Sequence, residues 1–332
     1  MIAKPCNAKS ADSLFSQEQP FDAGLLPVGD GHRLAYTQRG NPQGIPVIVL
    51  HGGPGSGSSP LQASFFDPAC YRVIQFDQRG SGLSEPSGET QHNRTELLLG
   101  DIETLRHHLG ITRWLVVGGS WGATLGAVYA ANNRANVTGV LFRGLFLTGE
   151  DDIQWFFKDA AADYPEAWLT FSRIAPQETR DNLLPWLYIV FNQGTDRIKT
   201  EAATAWFGWE RVISGLPPTS VPEGDALHSL VQRYRLQSHY LLHRCWLGES
   251  AVLQSCANLS GLPVLFVHGD RDKVCRPQNS IKANAVCPGS LIKWAWGAGH
   301  DPFHPAMISA MRAGLDRFSE FGDFEISIGS EN

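Results

Sequence analysis

Gly-Gly-Ser-Trp-Gly at residues 118–122 is the stretch that decides how this chain folds. It follows a short apolar run at residues 114–117 and precedes an Ala-rich segment at residues 123–130 that has the composition of a helix. The pattern G-x-S-x-G between a strand and a helix is typical of a nucleophile elbow, a strained turn that exposes a serine hydroxyl. The two outer glycines supply the room that such a turn needs. We therefore predict that Ser120 is a nucleophile, which requires partners elsewhere in the chain.

The composition is that of an ordinary globular protein. The chain has 332 residues, 42% hydrophobic and 18% charged, enough for one large α/β domain with an insertion. The formal net charge is -6 and no Lys/Arg run occurs, which argues against a nucleic-acid partner. No apolar run approaches ~18 residues, and the N-terminus lacks the apolar core of a secretory leader. We expect a cytoplasmic protein with a small-molecule substrate and no membrane partner.

The cysteines and histidines give no indication of a metal site. The six cysteines lack C-x-x-C spacing, and without an export signal we expect reduced thiols. His239 and His243 have i, i+4 spacing but no third ligand nearby. We therefore expect no metal and no organic cofactor.

Short apolar runs recur along the chain, and several end at Gly, His or Asp. Runs of this length without alternation suit strands that are buried on both faces of a parallel sheet. Helix-like stretches lie between them, which indicates a mostly parallel, doubly wound α/β sheet with its site at the carboxyl ends of the strands. The runs cover residues 46–50, 73–76, 114–117, 137–142, 262–267 and 291–294.

The middle third of the chain has a different character. From residue 148 to residue 255 the strand-like runs vanish, and this segment holds six of the ten Trp residues. We interpret residues 148–255 as a helical cap inserted between two parts of the sheet domain, 1–147 and 256–332. Most of the aromatic residues are expected to fill the core of the cap, and some to line a pocket between cap and sheet.

A serine nucleophile needs a base, and the base needs an orienting carboxylate. The loop after the fifth apolar run offers Asp270 and Asp272 as the acid. The loop after the sixth run offers His300 as the base, with His304 as its rival. An elbow serine followed by a post-strand Asp and then a post-strand His is the order of an acyl-transfer triad. The spacing leaves both choices open.

The developing oxyanion needs two backbone N–H donors. One is the residue after the nucleophile, Trp121. The second is expected on a loop after an earlier strand, where His-Gly-Gly-Pro-Gly occurs at residues 51–55. We choose Gly53, with Gly52 as the alternative, because glycine lets the backbone approach a substrate closely. His51 itself is expected to form structural hydrogen bonds.

Three motifs together resemble the proline iminopeptidase (prolyl aminopeptidase) family of α/β-hydrolases. They are the segments at residues 51–55, 77–82 and 118–122, and the resemblance covers most of the chain, including residues 164–168 and 206–210 of the predicted cap. The resemblance implies the α/β-hydrolase fold with a helical cap. It also implies a serine exopeptidase that releases an N-terminal residue, usually proline, from small peptides through an acyl-enzyme.

The resemblance also implies roles for single residues. The family's acid matches Asp272 rather than Asp270, and its base matches His300 rather than His304. Glu210 matches a family carboxylate that would bind the cationic α-amino group of the substrate through a charge-assisted hydrogen bond.

Two positions of the predicted cap depart from the family pattern. Gln237 stands where a second Glu is common, and Thr148-Gly149 stands where an Arg is often found. An amide at the substrate-binding position 237 accepts a hydrogen bond but supplies no charge. Losing one charged partner corresponds to about 1.5–3 kcal/mol of amino-group recognition. The sequence thus favours a prolyl aminopeptidase with relaxed proline preference.

The sequence also bears on three other functions. The alternative is a related amidase or esterase with altered acyl specificity. The Ser at the elbow disfavours dehalogenase and epoxide hydrolase chemistry, in which an Asp is the nucleophile. A non-enzymatic binding protein is disfavoured because such proteins usually lose triad residues, and this chain keeps all three.

Overall fold

The computed structural model describes residues 13–17, 19–217 and 219–325. These residues form eight strands: β1 (Asp22–Gly29), β2 (His32–Gly40), β3 (Ile45–Leu50), β4 (Tyr71–Phe76), β5 (Trp114–Gly119), β6 (Val137–Arg143), β7 (Val264–Gly269) and β8 (Leu291–Ala295). Their α-helices are α1 (Pro60–Ala63), α2 (Thr95–His108), α3 (Trp121–Asn132), α4 (Glu150–Phe157), α5 (Pro165–Ser172), α6 (Leu183–Gln193), α7 (Asp196–Ile213), α8 (Gly224–Leu242), α9 (Gly248–Ala257), α10 (Gln278–Val286) and α11 (Pro305–Phe321).

The strands form one sheet in the order β1-β2-β4-β3-β5-β6-β7-β8. The pairs β1–β2 and β2–β4 are antiparallel, and the pairs from β4–β3 to β7–β8 are parallel. All six predicted apolar runs form strands, β3 to β8, so the predicted mostly parallel sheet is confirmed. The sequence analysis did not predict β1 and β2, because it relied on continuous apolar runs, whereas the side chains of these strands alternate between more and less exposed positions.

Helices cover both faces of the sheet. On one face α2, α3 and α10 bury apolar side chains such as Ile102, Leu125 and Ala283 against the strands. On the other face α11 packs Met307 and Leu315 against them. This double covering explains why the central strands are apolar without alternation: they meet a hydrophobic layer on each side.

The segment between β6 and β7 is built around aromatic side chains. Trp206 and Trp209 of α7 are fully buried and pack with Phe171 of α5 at ring-centroid distances of 6.3 and 6.0 Å. Phe156 and Phe157 of α4 touch Trp206 of this cluster and also line a cavity above the sheet. Helix α9 instead packs against α3 and α10, next to the sheet.

The expectation of reduced thiols needs one correction. Cys245, Cys256, Cys275 and Cys287 are free and buried. Cys70 is disulfide-bonded, so the expectation is wrong for this residue, because linear spacing does not show which cysteines lie close in space. Cys6 lies outside the described residues. None of the described helices is long and apolar enough to cross a membrane.

Candidate active site

Ser120 occupies the tight turn between β5 and α3. Its φ of 57° and ψ of -125° place it in a region that side-chain-bearing residues rarely adopt. A Cβ at Gly118 would lie 2.2 Å from the backbone oxygen of Gly122, and one at Gly122 would lie 2.1 Å from that of Leu50. Only glycine fits either position. This is the strained turn that the pentapeptide predicts.

Asp272 and His300 lie on the loops that follow β7 and β8. His300 Nδ1 donates to Asp272 Oδ2 at 2.6 Å. Asp272 Oδ1 accepts the backbone N–H groups of Val274 and Cys275, each at 2.9 Å. Burial by itself raises the pKa of Asp272, but the nearby His300 and these hydrogen bonds outweigh it and hold that pKa below its ordinary value. The carboxylate therefore stays ionised and fixes the imidazole.

The two rival residues have other partners. Asp270 Oδ1 accepts the backbone N–H of Gly297 and so braces the loop that carries His300. His304 caps the N-terminus of α11, where its Nδ1 accepts the N–H of Ala306 at 3.3 Å. In the described part of the chain, neither side chain pairs with Ser120, Asp272 or His300.

Ser120 and His300 line the same cavity, which has a volume of about 240 Å³. Ser120 Oγ lies 3.7 Å from Cys275 Sγ, and no hydrogen bond among the described residues joins Oγ to His300. Such bonds are often long or misaligned without substrate, and a rotation about χ1 redirects the hydroxyl. The lining also includes Gly52, Gly53, Arg143, Phe146, Asp152, Phe156, Phe157, Glu210, Arg233, Gln237 and Cys275.

Gly144 borders the acid–base pair, a position that the sequence analysis missed. A Cβ there would lie 3.3 Å from both Asp272 Oδ2 and His300 Cε1, and its φ is +54°. Both the backbone conformation and the space favour glycine. The signal in the sequence was its place directly after β6, at the same sheet edge as the other site loops.

The predicted oxyanion donors are the backbone N–H groups of Gly53 and Trp121. In the described part of the chain, the backbone N–H groups of Gly53 and Trp121 form no hydrogen bond with another protein group. A Cβ at Gly52 would lie 3.3 Å from the Cβ of Ser120, so the 51–55 loop runs close to the elbow. Gly53 has a φ of +113°, a conformation that glycine tolerates.

Gln78 ties the two donor loops together. Its backbone N–H donates to His51 Nε2 at 3.0 Å, and its side-chain amide donates to the backbone oxygen of His51 at 2.9 Å. Its Oε1 accepts the indole N–H of Trp121 at 2.8 Å. Since His51 Nε2 accepts a hydrogen bond, the proton is on Nδ1, which donates to Gly52 O at 2.9 Å. Burial lowers the pKa of this histidine. These bonds give His51 the structural contacts expected of it.

The cap side of the cavity holds a carboxylate with three protein donors. Glu210 Oε2 accepts from Arg233 at 2.7 Å and from the hydroxyl of Tyr234 at 2.9 Å. Its Oε1 accepts from Gln237 Nε2 at 2.7 Å. The sequence analysis missed Arg233, although it stands one helical turn before Gln237 and therefore shares its face of α8.

Helix α8 lies directly on the 51–55 loop. A Cβ at Gly55 would lie 2.8 Å from the backbone oxygen of Arg233. This close approach brings Glu210 and Gln237 to the cavity that Ser120 and His300 line. Ser120, His300, Glu210 and Gln237 thus line one cavity, and Asp272 is buried behind His300.

Comparison with known proteins identifies the family. The protein-family model described as the alpha/beta hydrolase fold matches residues 45–306. A proline iminopeptidase of Xylella fastidiosa is 36% identical over 92% of this chain and 99% of its own. One of Neisseria meningitidis is 37% identical over 90% of this chain and 96% of its own. The chain belongs to the proline iminopeptidase family of α/β-hydrolases. It is a hydrolase of the prolyl aminopeptidase type.

Solved structures agree with the family at the level of the fold. A proline iminopeptidase of Mycobacterium smegmatis matches with a TM-score of 0.59 and 21% identity, covering 91% of this chain and 99% of its own. A haloalkane dehalogenase of Bradyrhizobium elkani matches with a TM-score of 0.61 and 19% identity, covering 90% and 98%. Proteins with different chemistry share this fold, so the site residues must carry the argument about function.

Proposed function

We propose that this member of the family releases the N-terminal residue of small peptides, proline first, through a Ser120–His300–Asp272 triad and an acyl-enzyme. The observation that carries the proposal is the 2.6 Å hydrogen bond between His300 Nδ1 and Asp272 Oδ2, beside a serine on a strained turn. With its proton on Nδ1, His300 keeps Nε2 free to accept the proton of the serine hydroxyl.

In the acylation step, Ser120 Oγ attacks the scissile carbonyl carbon while His300 Nε2 takes the hydroxyl proton. The carbonyl π electrons move onto oxygen, and the N–H groups of Gly53 and Trp121 would stabilise that oxyanion. The tetrahedral intermediate collapses, the C–N bond breaks, and His300 returns the proton to the leaving amine. The ionised Asp272 stabilises the imidazolium throughout.

In the deacylation step, water replaces the amine. His300 Nε2 accepts a proton from the water, whose oxygen attacks the acyl-enzyme carbonyl. Collapse breaks the bond to Ser120 Oγ, which recovers its proton from His300. The products are the free amino acid and the shortened peptide, and every step uses residues of this chain.

Glu210 and Gln237 are proposed to bind the substrate's α-amino group. The carboxylate of Glu210 would form a charge-assisted hydrogen bond with the ammonium. Gln237 is 5% exposed, and its Oε1 is buried without a partner among the described residues. An unpaired buried acceptor favours a ligand with an N–H donor. Recognition of a free amino group would restrict cleavage to the first residue.

Ser120→Ala tests the mechanism. Turnover of a prolyl arylamide is expected to fall at least ~10⁴-fold because no nucleophile remains. A fluorophosphonate should label the wild type at the peptide that contains Ser120, as read by mass spectrometry, and should not label the variant. The midpoint of thermal unfolding is expected to stay close to that of the wild type.

Ser214→Ala provides the matched control, since Ser214 is another serine that lines the cavity. This variant is expected to keep labelling at Ser120. Its turnover should stay within roughly tenfold of the wild type, because the Ser214 hydroxyl has no part in the proposed mechanism. Retained turnover in folded Ser120→Ala would refute the proposed mechanism.

A further inference from the structure

The carboxylate of Glu210 is already paired inside the cavity. Arg233 and Tyr234 donate to its Oε2 at 2.7 and 2.9 Å, and Gln237 donates to its Oε1 at 2.7 Å. The side chain of Glu210 is 15% exposed and that of Arg233 is 27% exposed, so the ion pair is largely shielded from water. A substrate ammonium must therefore share this carboxylate with a guanidinium or displace it.

The two carboxyl groups that line the cavity both have protein partners. Asp152 and Glu210 contribute two carboxyl groups, and Arg143 and Arg233 contribute two guanidinium groups. Asp152 is itself held by the side-chain amide of Asn279 at 3.0 and 3.1 Å. A substrate ammonium therefore meets no carboxylate in this lining that lacks a protein partner among the described residues, and two guanidinium groups lie nearby.

The polar groups left over do not require a charged ligand. Gln237 Oε1 is a neutral acceptor without a partner among the described residues, and Arg233 Nε is a buried donor without one. A neutral amide ligand can satisfy both groups, because its N–H donates and its C=O accepts. An ammonium can satisfy only the acceptor. Gln237 thus responds to a hydrogen-bond donor and not to a positive charge.

We propose that Arg233 is a specificity-determining residue: by pairing with Glu210, it lowers the preference for acyl groups that carry a free α-amino group over uncharged acyl groups of the same shape. The inference rests on the proposed function, because it assumes that acyl groups bind between Ser120 and Glu210. The substrate class it adds is amides and esters of uncharged, proline-sized acids.

Two arylamides with the same leaving group test this inference. One carries a prolyl group and the other a cyclopentanecarbonyl group, which has the ring of proline without its nitrogen. For the wild type we expect kcat/KM values within about tenfold of each other. In Arg233→Met, the preference for the prolyl substrate should rise about ten- to a hundredfold, mainly through a lower KM, because Glu210 is released to pair with the ammonium.

Two further variants separate charge from shape. Arg233→Lys keeps a cation beside Glu210 and should keep a preference close to that of the wild type. Gln237→Glu adds a second carboxylate and should raise the prolyl preference as Arg233→Met does. Fluorophosphonate labelling at Ser120 counts the folded sites of each variant, so that kcat/KM refers to competent enzyme.

The outcomes distinguish this inference from the proposed function. An unchanged preference in labelled Arg233→Met, or a wild type that already prefers the prolyl substrate more than ~10³-fold, refutes the role of Arg233 and leaves the triad mechanism standing. The second result needs no variant and therefore decides the matter even if Arg233→Met fails to fold. Retained turnover in Ser120→Ala refutes the mechanism whatever preference the Arg233 variants show.

Discussion

The catalytic loops and the cap contribute to the site in different ways. Ser120, Asp272 and His300 each follow a strand of one rigid sheet, so their positions depend on the backbone at that strand's end. Glu210 and Gln237 lie on α7 and α8, and their hydrogen bonds depend on how two helices pack. The comparison teaches that the proposed chemistry depends on the sheet, whereas the proposed substrate recognition depends on the packing of the cap.

This difference predicts two kinds of kinetic effect. Changes at the sheet edge should lower kcat for every substrate to a similar degree. Changes at the cap should alter KM and only for substrates with an amino group. A prolyl arylamide and a simple aryl ester, measured side by side, give both readouts.

The largest effect is expected for Asp272→Asn. The amide donates toward His300 Nδ1, favours the wrong tautomer, and should reduce kcat about 10⁴-fold for both substrates. Steady-state kinetics measure this loss. Asp270→Asn removes only a brace of the Gly297 loop and should remain within roughly tenfold of the wild type. A loss restricted to the prolyl substrate would contradict the expected division between sheet and cap, since the loop that carries Asp272 would then take part in substrate choice.

Gly144→Ala should give a smaller, uniform loss. The new Cβ would contact Asp272 and His300 at 3.3 Å, and a shift well below 1 Å at the reacting groups is expected to cost about 10- to 100-fold in kcat. Gly110→Ala is the matched control because Gly110 has a similar φ of +63° with nothing within 4 Å.

Both glycine variants should lose about 1 kcal/mol of unfolding free energy, because alanine is strained at positive φ. Only Gly144→Ala should lose kcat. Equal kinetic losses in the two variants would mean that backbone strain, and not contact with the acid–base pair, causes the effect. Urea unfolding and kinetics on the same preparations separate the two causes.

Glu210→Gln tests the cap side. The isosteric amide keeps the shape but removes the charge and leaves Arg233 without its carboxylate partner, so kcat/KM for the prolyl arylamide should fall about tenfold, mainly through KM. Hydrolysis of the aryl ester should change only a few-fold. An equal loss for both substrates would place Glu210 in the chemistry rather than in recognition.

The smallest effect concerns the pH dependence of stability. Burial raises the pKa of Asp272, but His300 and the backbone N–H groups lower it by more than burial raises it. The pKa in the folded state therefore lies below the ordinary value of 3.8. Because the folded state binds this proton more weakly, the stabilisation is present above about pH 4 and is lost as the pH falls through the lowered pKa. The difference in unfolding free energy between wild type and Asp272→Asn should shrink below pH 4 in urea titrations. A constant difference from pH 3 to pH 7 would contradict the assignment.

Some of the architecture was readable from local sequence alone. The apolar runs predicted six strands because a strand covered on both faces needs no polar alternation. The elbow was readable because the clashes at Gly118 and Gly122 involve backbone within a few residues or at the neighbouring strand. The order of Ser120, a post-strand Asp and a post-strand His added the remaining parts of the proposed chemistry.

The sequence by itself therefore determined the sheet and the strained serine, and it is the source of the proposed reaction, since each depends on short-range sterics and on strand order. Only the tertiary structure decided that Arg233 pairs with Glu210 and that Gln237 Oε1 has no partner among the described residues. Those contacts depend on the relative placement of α7 and α8, which no local pattern specifies. The proposed charge recognition in the cap is consequently a matter of helix packing.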